Sequence, residues 1–486
     1  MIKFIKKMIA YLDQIPAGKE LSVRQKVTLN LWGLAVFLIP FMYVPYFVFQ
    51  KLSLYPLVII ALLNVDKWWN LCWNNKFLRY TAFAVAAFIM WQIISLPFCV
   101  GLGDITFSDN IRPVINDGIT YAAWYVFLAA AFMFPKNRIE KTFYKSFTAI
   151  LLCCAAYSIL EILHFRGVQW ASNILAEAIH YIMTVEPEGW WWPPLFWDQP
   201  RLRSVFAEPS YFAIMLVFSV LYYSMQMWIN KKRMIFTGNL FLMLLSVLLL
   251  CLTKSAGGAL SLTAATLVFI ILSAIFFRKF PLLLKIKSGI LSLLLLISSF
   301  LAVACQRGGF AEFATIENAL ESAEADSAQE QRMLSGSSST RLIHLKTELK
   351  MIGKNPFPGV GSGKYSDAMC EALEASPEQT PELISWWSSR GNTPRLNLYT
   401  ARMVEFGIPG GILFLNIFIF PGLYLCFSCI RKGCFTVAVS VLAIYTGPIM
   451  IMNFANSAIM IYLMLAALPL LTMAAAGEGK PDEFSA

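Results

Sequence analysis

Charge is scarce in this chain: Asp, Glu, Lys and Arg make up 14% of its 486 residues, against 58% hydrophobic residues. That balance excludes an ordinary soluble domain, in which about a quarter of the residues are charged. Interruptions are scarce as well. Leu240–Leu252, Ala259–Phe277 and Ile290–Ala304 run apolar with a helical period, too long for core helices and unlike the alternating strands of a β-barrel. Histidine occurs only at 164, 180 and 344, in distant parts of the chain, so a histidine-built metal centre has little to draw on. No internal repeat relates the two halves, which argues against a transporter made of duplicated bundles. No cleavable signal is expected, because Met1–Lys26 is basic and amphipathic, with Phe4, Ile5, Met8, Ile9 and Leu12 opposite Lys3, Lys6 and Lys7.

What remains is an all-α polytopic membrane protein. About twelve spans are expected, centred near residues 37, 59, 89, 124, 155, 219, 245, 268, 297, 414, 443 and 465. Basic residues set the orientation. Segments Met1–Val27, Asp66–Arg79, Lys136–Lys145, Lys231–Arg233, Arg278–Lys287, Arg431–Lys432 and the tail hold 23 Lys/Arg against 7 acids. The rest of the chain holds 16 against 22, so the positive-inside rule predicts that both termini are cytoplasmic. The net charge of +10 is thus a record of topology and does not indicate nucleic-acid binding.

The layout that follows is a cytoplasmic amphipathic N-terminus (1–27), helices 1–9 (28–305), a large outer loop (306–398), helices 10–12 (399–475) and a cytoplasmic tail (476–486). A smaller outer loop, 165–204, lies within the first helical block, and loops of such length are usually functional. The mid-span regions are nearly free of charge, Glu161 near an outer span end being the exception. That weighs against a flippase, which needs charges along its path. Of the ten cysteines, Cys305 and Cys370 lie at or in the large outer loop, where a disulfide between them is an option.

Two outer constellations carry chemistry. In the first, Arg201 and Arg203 precede Glu208, and Pro209 is suited to open a helix, which places Glu208 at its cap. Trp190–Trp192, Phe196, Trp197 and Asp198 come just before, and aromatic faces beside arginines and a carboxylate suit a sugar next to a phosphate. In the second, Leu342, Leu345, Leu349 and Ile352 form an apolar stripe with Arg341 elsewhere, as for a helix lying along the membrane surface. It runs into Gly353-Lys-Asn-Pro-Phe-Pro-Gly-Val-Gly-Ser-Gly-Lys364, whose three alternating glycines, Gly359, Gly361 and Gly363, suit an anion nest. Further on come Arg390, Arg395, Asn397 and Tyr399.

In order and side of the membrane, these pieces resemble the bacterial O-antigen polymerase (Wzy) and O-antigen ligase (WaaL) superfamily. The resemblance rests on Phe206-Ala-Glu-Pro-Ser-Tyr-Phe-Ala213, on Leu252-Thr-Lys-Ser-Ala-Gly-Gly258, and on Ser339-Thr-Arg341 with Asn355–Gly361. It continues in Asn397-Leu-Tyr399 and Glu405-Phe-Gly-Ile-Pro-Gly410, and covers roughly residues 30 to 475. Two departures stand out: Ser255 is followed by Ala256 where the family often has Arg, and Leu396 stands where ligases carry a histidine. The second favours a polymerase.

The resemblance implies a GT-C-like membrane enzyme of the bacterial inner membrane, with its large periplasmic loop between helices 9 and 10. It would be an inverting glycosyltransferase that moves an undecaprenyl-pyrophosphate-linked glycan onto a carrier-linked repeat unit. No cofactor and no metal are expected, so arginines would meet the charge of the departing pyrophosphate. The expected catalytic residues are Glu208 as general base with Arg203 and Arg341. Arg201, Lys254, Arg390, Arg395, Asn397, Trp192, Trp197, Tyr211 and Tyr399 are the expected substrate contacts. Expected partners are the lipid-linked donor and acceptor, membrane lipids, a chain-length regulator and a flippase, with no nucleic acid. The alternatives are a ligase acting on lipid A-core, a lipid-linked oligosaccharide flippase, and a non-catalytic assembly partner.

Overall fold

The computed structural model describes residues 21–41, 44, 51–99, 107–182, 201–206, 208–229, 233–305, 332–333, 337–361, 364–388, 393 and 395–451. It is helical apart from two short parallel strands. The first helices are α1 (Val23–Phe37), α2 (Leu54–Leu63), α3 (Trp68–Asn74), α4 (Lys76–Cys99), α5 (Phe107–Ala131), α6 (Lys136–Phe165) and α7 (Gln169–Ile182). Then come α8 (Pro209–Ile229), α9 (Arg233–Thr253), α10 (Ala256–Ile275) and α11 (Leu282–Ala304). Beyond β1 (Arg332–Met333) lie α12 (Ser337–Lys354), α13 (Tyr365–Glu374), β2 (Glu378–Gln379) and α14 (Pro381–Ser388), followed by α15 (Leu398–Arg431) and α16 (Phe435–Ile451).

Among the described residues, six helices are long and apolar enough to cross a membrane: α4, α6, α8, α9, α10 and α11. The bent α15 makes a seventh. These match the expected centres at 89, 155, 219, 245, 268, 297 and 414. The centres at 37, 59, 124 and 443 fall on α1, α2, α5 and α16, which are short or, in α5, charged by Asp109, Arg112 and Asp117. The centre at 465 lies outside the described residues, as do 1–20 and the tail. The chain is thus a polytopic all-helical membrane protein by composition and helix length.

One span differs from the rest. In α8, 94% of the most apolar window is enclosed by protein, against 33% to 44% for the other five. It packs against α9, α10, α11 and α16 and forms the axis of the main core. Gly258, in the first turn of α10, shows why these helices can meet closely: a Cβ there would lie 2.8 Å from Ala213 Cβ on α8. Two of the sequence motifs, 206–213 and 252–258, therefore touch.

A second, smaller core holds Ile343, Met351, Ile352, Val360, Tyr365, Met369, Leu373 and Leu383 from the segment between α11 and α15. Ala401 and Val404 of α15 complete it, so this cap is rooted on the first turns of α15. The root is a backbone exchange. Pro409 has no N–H, so the Glu405 carbonyl lacks its helical donor, and Gly361 N–H supplies one at 2.8 Å. Gly407 leaves the helical conformation (φ 70°), and Ile408 N–H turns to the Pro356 carbonyl at 2.9 Å while Val360 N–H takes the Val404 carbonyl at 2.8 Å. Gly359 has φ 89°, and a Cβ on it would meet Gly407 N at 2.5 Å. Gly359 thus serves close approach, and two N–H groups of the expected anion nest, those of Val360 and Gly361, are spent on α15, while Gly363 lies outside the described residues.

The cap also corrects the expected helix face. α12 buries Ile343, His344, Thr347, Glu348, Met351 and Ile352, whereas Leu349 of the expected stripe is exposed. The face is set by polar partners. Glu348 accepts the Tyr365 hydroxyl at 2.5 Å and the Thr400 hydroxyl, with His344 Nδ1 at 3.7 Å. A hydrophobicity count reads such a face as solvent-facing. Cys305 and Cys370 are both free thiols. Cys370 meets the Thr393 hydroxyl at 2.9 Å, while Cys305 sits beside Cys251, so the two thiols have different neighbours.

Candidate active site

The segment before α8 is held from both ends. Leu202 N–H bonds the Leu252 carbonyl (3.1 Å) and Arg201 Nε bonds the Thr253 carbonyl (3.0 Å), tying it to the end of α9. Ser204 takes a positive φ of 55°, held by its N–H to Glu161 Oε2 (2.9 Å) and its hydroxyl to the Cys154 carbonyl (3.0 Å). This turn sends neighbouring arginines opposite ways. Arg203 is buried toward α6, where burial disfavours its charge and Glu161 opposes that effect. Arg201 stays partly exposed on the side of Glu208.

Glu208 stands just before Pro209, with its carbonyl taking Tyr211 N–H and Phe212 N–H. Its carboxylate accepts the Ser210 hydroxyl at 2.8 Å. Burial raises this carboxyl above the usual carboxylate range; Ser210, Arg341 and Arg201 pull it back, and Glu382 pushes it further up. Arg341 and Arg201 come from loops about 140 residues apart in sequence, and both act on the same carboxylate.

Glu382 is a second carboxylate at this place. Thr380 caps α14 by accepting Leu383 N–H (3.2 Å), and its hydroxyl meets that of Thr340 on α12 at 2.9 Å. That pair sets the first turn of α14 against the first turn of α12. Burial raises the Glu382 carboxyl, opposed by the Thr340 hydroxyl, Arg341 and His344. Glu382 does not stand out in the sequence, because an acid in the first turn of a helix usually complements the dipole. Arg341 and His344, three apart on one helix, were the available signal.

A second charged seam joins the cap to the bundle. Arg402 binds Asp117 of α5 at 2.9 and 3.0 Å and Glu405 at 2.8 Å. Arg395 binds Glu405 at 2.6 and 2.7 Å and lies over the Tyr365 ring at 5.2 Å. Gln92 of α4 donates to Asp117 at 3.2 Å.

The expected site residues therefore divide. Arg341 and Arg201 both act electrostatically on Glu208. Lys254 occupies the α9–α10 turn at φ 48°, next to the Arg201 anchor. Arg203 turns to Glu161, Arg395 is tied to Glu405, and Asn397 caps α15 by accepting Tyr399 and Thr400 N–H at 3.0 and 3.3 Å. Tyr211 is buried in the main core, and Tyr399 packs on Phe414. Trp192, Trp197 and Arg390 lie outside the described residues.

No curated protein matches the chain. The matching family model, described as O-antigen ligase, begins in α9 and ends in α15, so it takes in Lys254, Arg341, Glu382 and Arg402 and stops short of Glu208. Residues 241–415 match that model, and this similarity supports the O-antigen ligase/polymerase superfamily for that stretch.

Proposed function

We propose that the protein is an inner-membrane polysaccharide polymerase, with the Glu208 seat as its reaction centre on the periplasmic face. The family match over residues 241–415 supports a glycosyltransferase-like enzyme in general. The observation that carries the finer reading is the convergence of Arg201 and Arg341 on Glu208 at the start of the most enclosed span. In this reading about twelve spans surround the seat, α1, α2, α5 and α16 among them, and both termini are cytoplasmic.

The chemistry follows from the charges. The substrate glycan is joined to undecaprenyl pyrophosphate. An acceptor hydroxyl on a second carrier-linked unit attacks the anomeric carbon, forming a new glycosidic bond as the bond to pyrophosphate breaks. The pair of electrons leaves with the lipid pyrophosphate, beside Arg341 and Arg201, which stabilise its negative charge. Glu208 takes the proton of the acceptor hydroxyl, and burial suits it to that task by raising its basicity. One direct displacement inverts the anomeric centre. Arg203 and Glu161 hold the turn that presents Arg201.

The ligase remains the second reading, favoured by the description of the matching family and by His344, which lies beside Glu382. The position before Asn397 is Leu396, which favours the polymerase. Purified protein offered carrier-linked repeat units and lipid A-core together separates the two. Longer carrier-linked chains are expected; glycan joined only to lipid A-core would overturn the polymerase.

A further inference from the structure

The Glu208 seat contains two arginines and two carboxylates: Arg201 and Arg341, Glu208 and Glu382. Their formal charges cancel, yet the proposed substrate brings several more negative charges into a partly enclosed, low-dielectric place. Uncompensated charge in such a setting is costly. The seat can lower that cost by taking up a proton.

We propose that Glu382 is the proton-accepting carboxyl of the seat, taking one proton from solvent as a pyrophosphate ester binds beside Arg341. This inference rests on the reading of the seat as a pyrophosphate site. Glu382 suits the task better than Glu208 because of its surroundings. It stands in the first turn of α14, which the Thr340–Thr380 hydroxyl pair fixes at 2.9 Å against α12. The ring of His344 is on the same side, 6.2 Å from Trp386 of α14, and is itself backed by Glu348 at 3.7 Å. Glu208, by contrast, has its carboxylate bonded to Ser210 and must stay unprotonated to serve as a base.

The groups that act on Glu382 are Thr340, Arg341 and His344 from α12, with Glu208 opposite. The other charges on elements packed around α14 are Asp367, Glu371 and Glu374 of α13 and Glu378 of β2, the last paired with Lys346 at 3.3 Å. Proton uptake on binding means that affinity falls as pH rises through the Glu382 pKa of the free protein, about tenfold per pH unit for one proton. Neutralising Glu382 for good removes that slope.

The test is titration calorimetry of the full-length protein in detergent with farnesyl pyrophosphate, in two buffers of different ionisation enthalpy. The ligand's own titration is common to all variants and drops out of their difference. Wild type is expected to take up close to one proton more than Glu382→Gln, with Glu382→Asp restoring the uptake. Equal uptake in wild type and Glu382→Gln, or loss confined to Glu208→Gln, would overturn the assignment while leaving the polymerase reading intact. Failure of wild type to bind the pyrophosphate at any pH would sink both. Should Glu382→Gln fail to fold, Thr340→Val serves instead: losing that hydroxyl must move the uptake to higher pH, and an unmoved profile contradicts the proposal.

Discussion

Two charged regions sit where the cap meets the bundle, and they are built differently. Around Asp117, each guanidinium is fastened to carboxylates at 2.6 to 3.0 Å, and α5, α15 and the 395–397 segment are joined by the result. Around Glu208, Arg201 and Arg341 arrive from separate loops and act on carboxyls that burial has raised. The first arrangement satisfies its charges internally, which is how a structural ion pair looks. The second keeps carboxyls of raised basicity beside cations, a pattern that clusters at functional sites. The difference teaches that an arginine near the end of a span is informative only together with what it faces.

Mutations should split along that line. The largest effect is expected at the seat: Glu208→Gln should slow polymer formation by about 10²- to 10⁴-fold, with little change in thermal unfolding. Full-length polymer from that variant would remove Glu208 as the base. At the Asp117 seam, Arg402→Met removes the cation that Asp117 and Glu405 share and leaves Glu405 paired with Arg395 alone. It should cost about 3–5 kcal/mol of stability, read as earlier unfolding in detergent, with activity lost only as the fold is lost. An unchanged unfolding curve would mean that the seam is not structural. Arg341→Lys keeps the charge and loses the fork. A loss of about ten- to a hundredfold in rate is expected, equivalent to one or two charge-assisted hydrogen bonds. The smallest effect belongs to Asn397→Ala, about 1 kcal/mol for a lost helix cap. A rise in KM at unchanged stability would instead make Asn397 a substrate contact.

Much of the scaffold was legible in the sequence, for a simple reason. Spans such as α9, α10 and α11 are continuous apolar runs whose length alone sets them apart. Glu208 was legible because Pro209 marks the helix start behind it. What escaped was decided by tertiary partners. The buried face of α12 is defined by Glu348, which accepts the Tyr365 and Thr400 hydroxyls, with His344 Nδ1 3.7 Å away. Arg402 and Asp117 are 285 residues apart, and nothing local in either helix announces the pair. The glycine motif was read as a nest because its spacing fits one. Only the missing N–H of Pro409 and the break at Gly407, seen together with it, reveal that the Val360 and Gly361 donors are spent on α15. Arg203 looked equivalent to Arg201 in sequence, and the positive φ at Ser204 separates them.

The central claim is that Glu208 and Arg341, from different loops, work as one site. A double-mutant cycle on the polymerisation rate of purified protein tests it most directly, using Glu208→Gln, Arg341→Lys and the two combined. Residues acting as a unit give grossly non-additive losses. The double variant should therefore be about as slow as the Glu208→Gln single variant. Losses that multiply, as for two independent sites, would contradict the account.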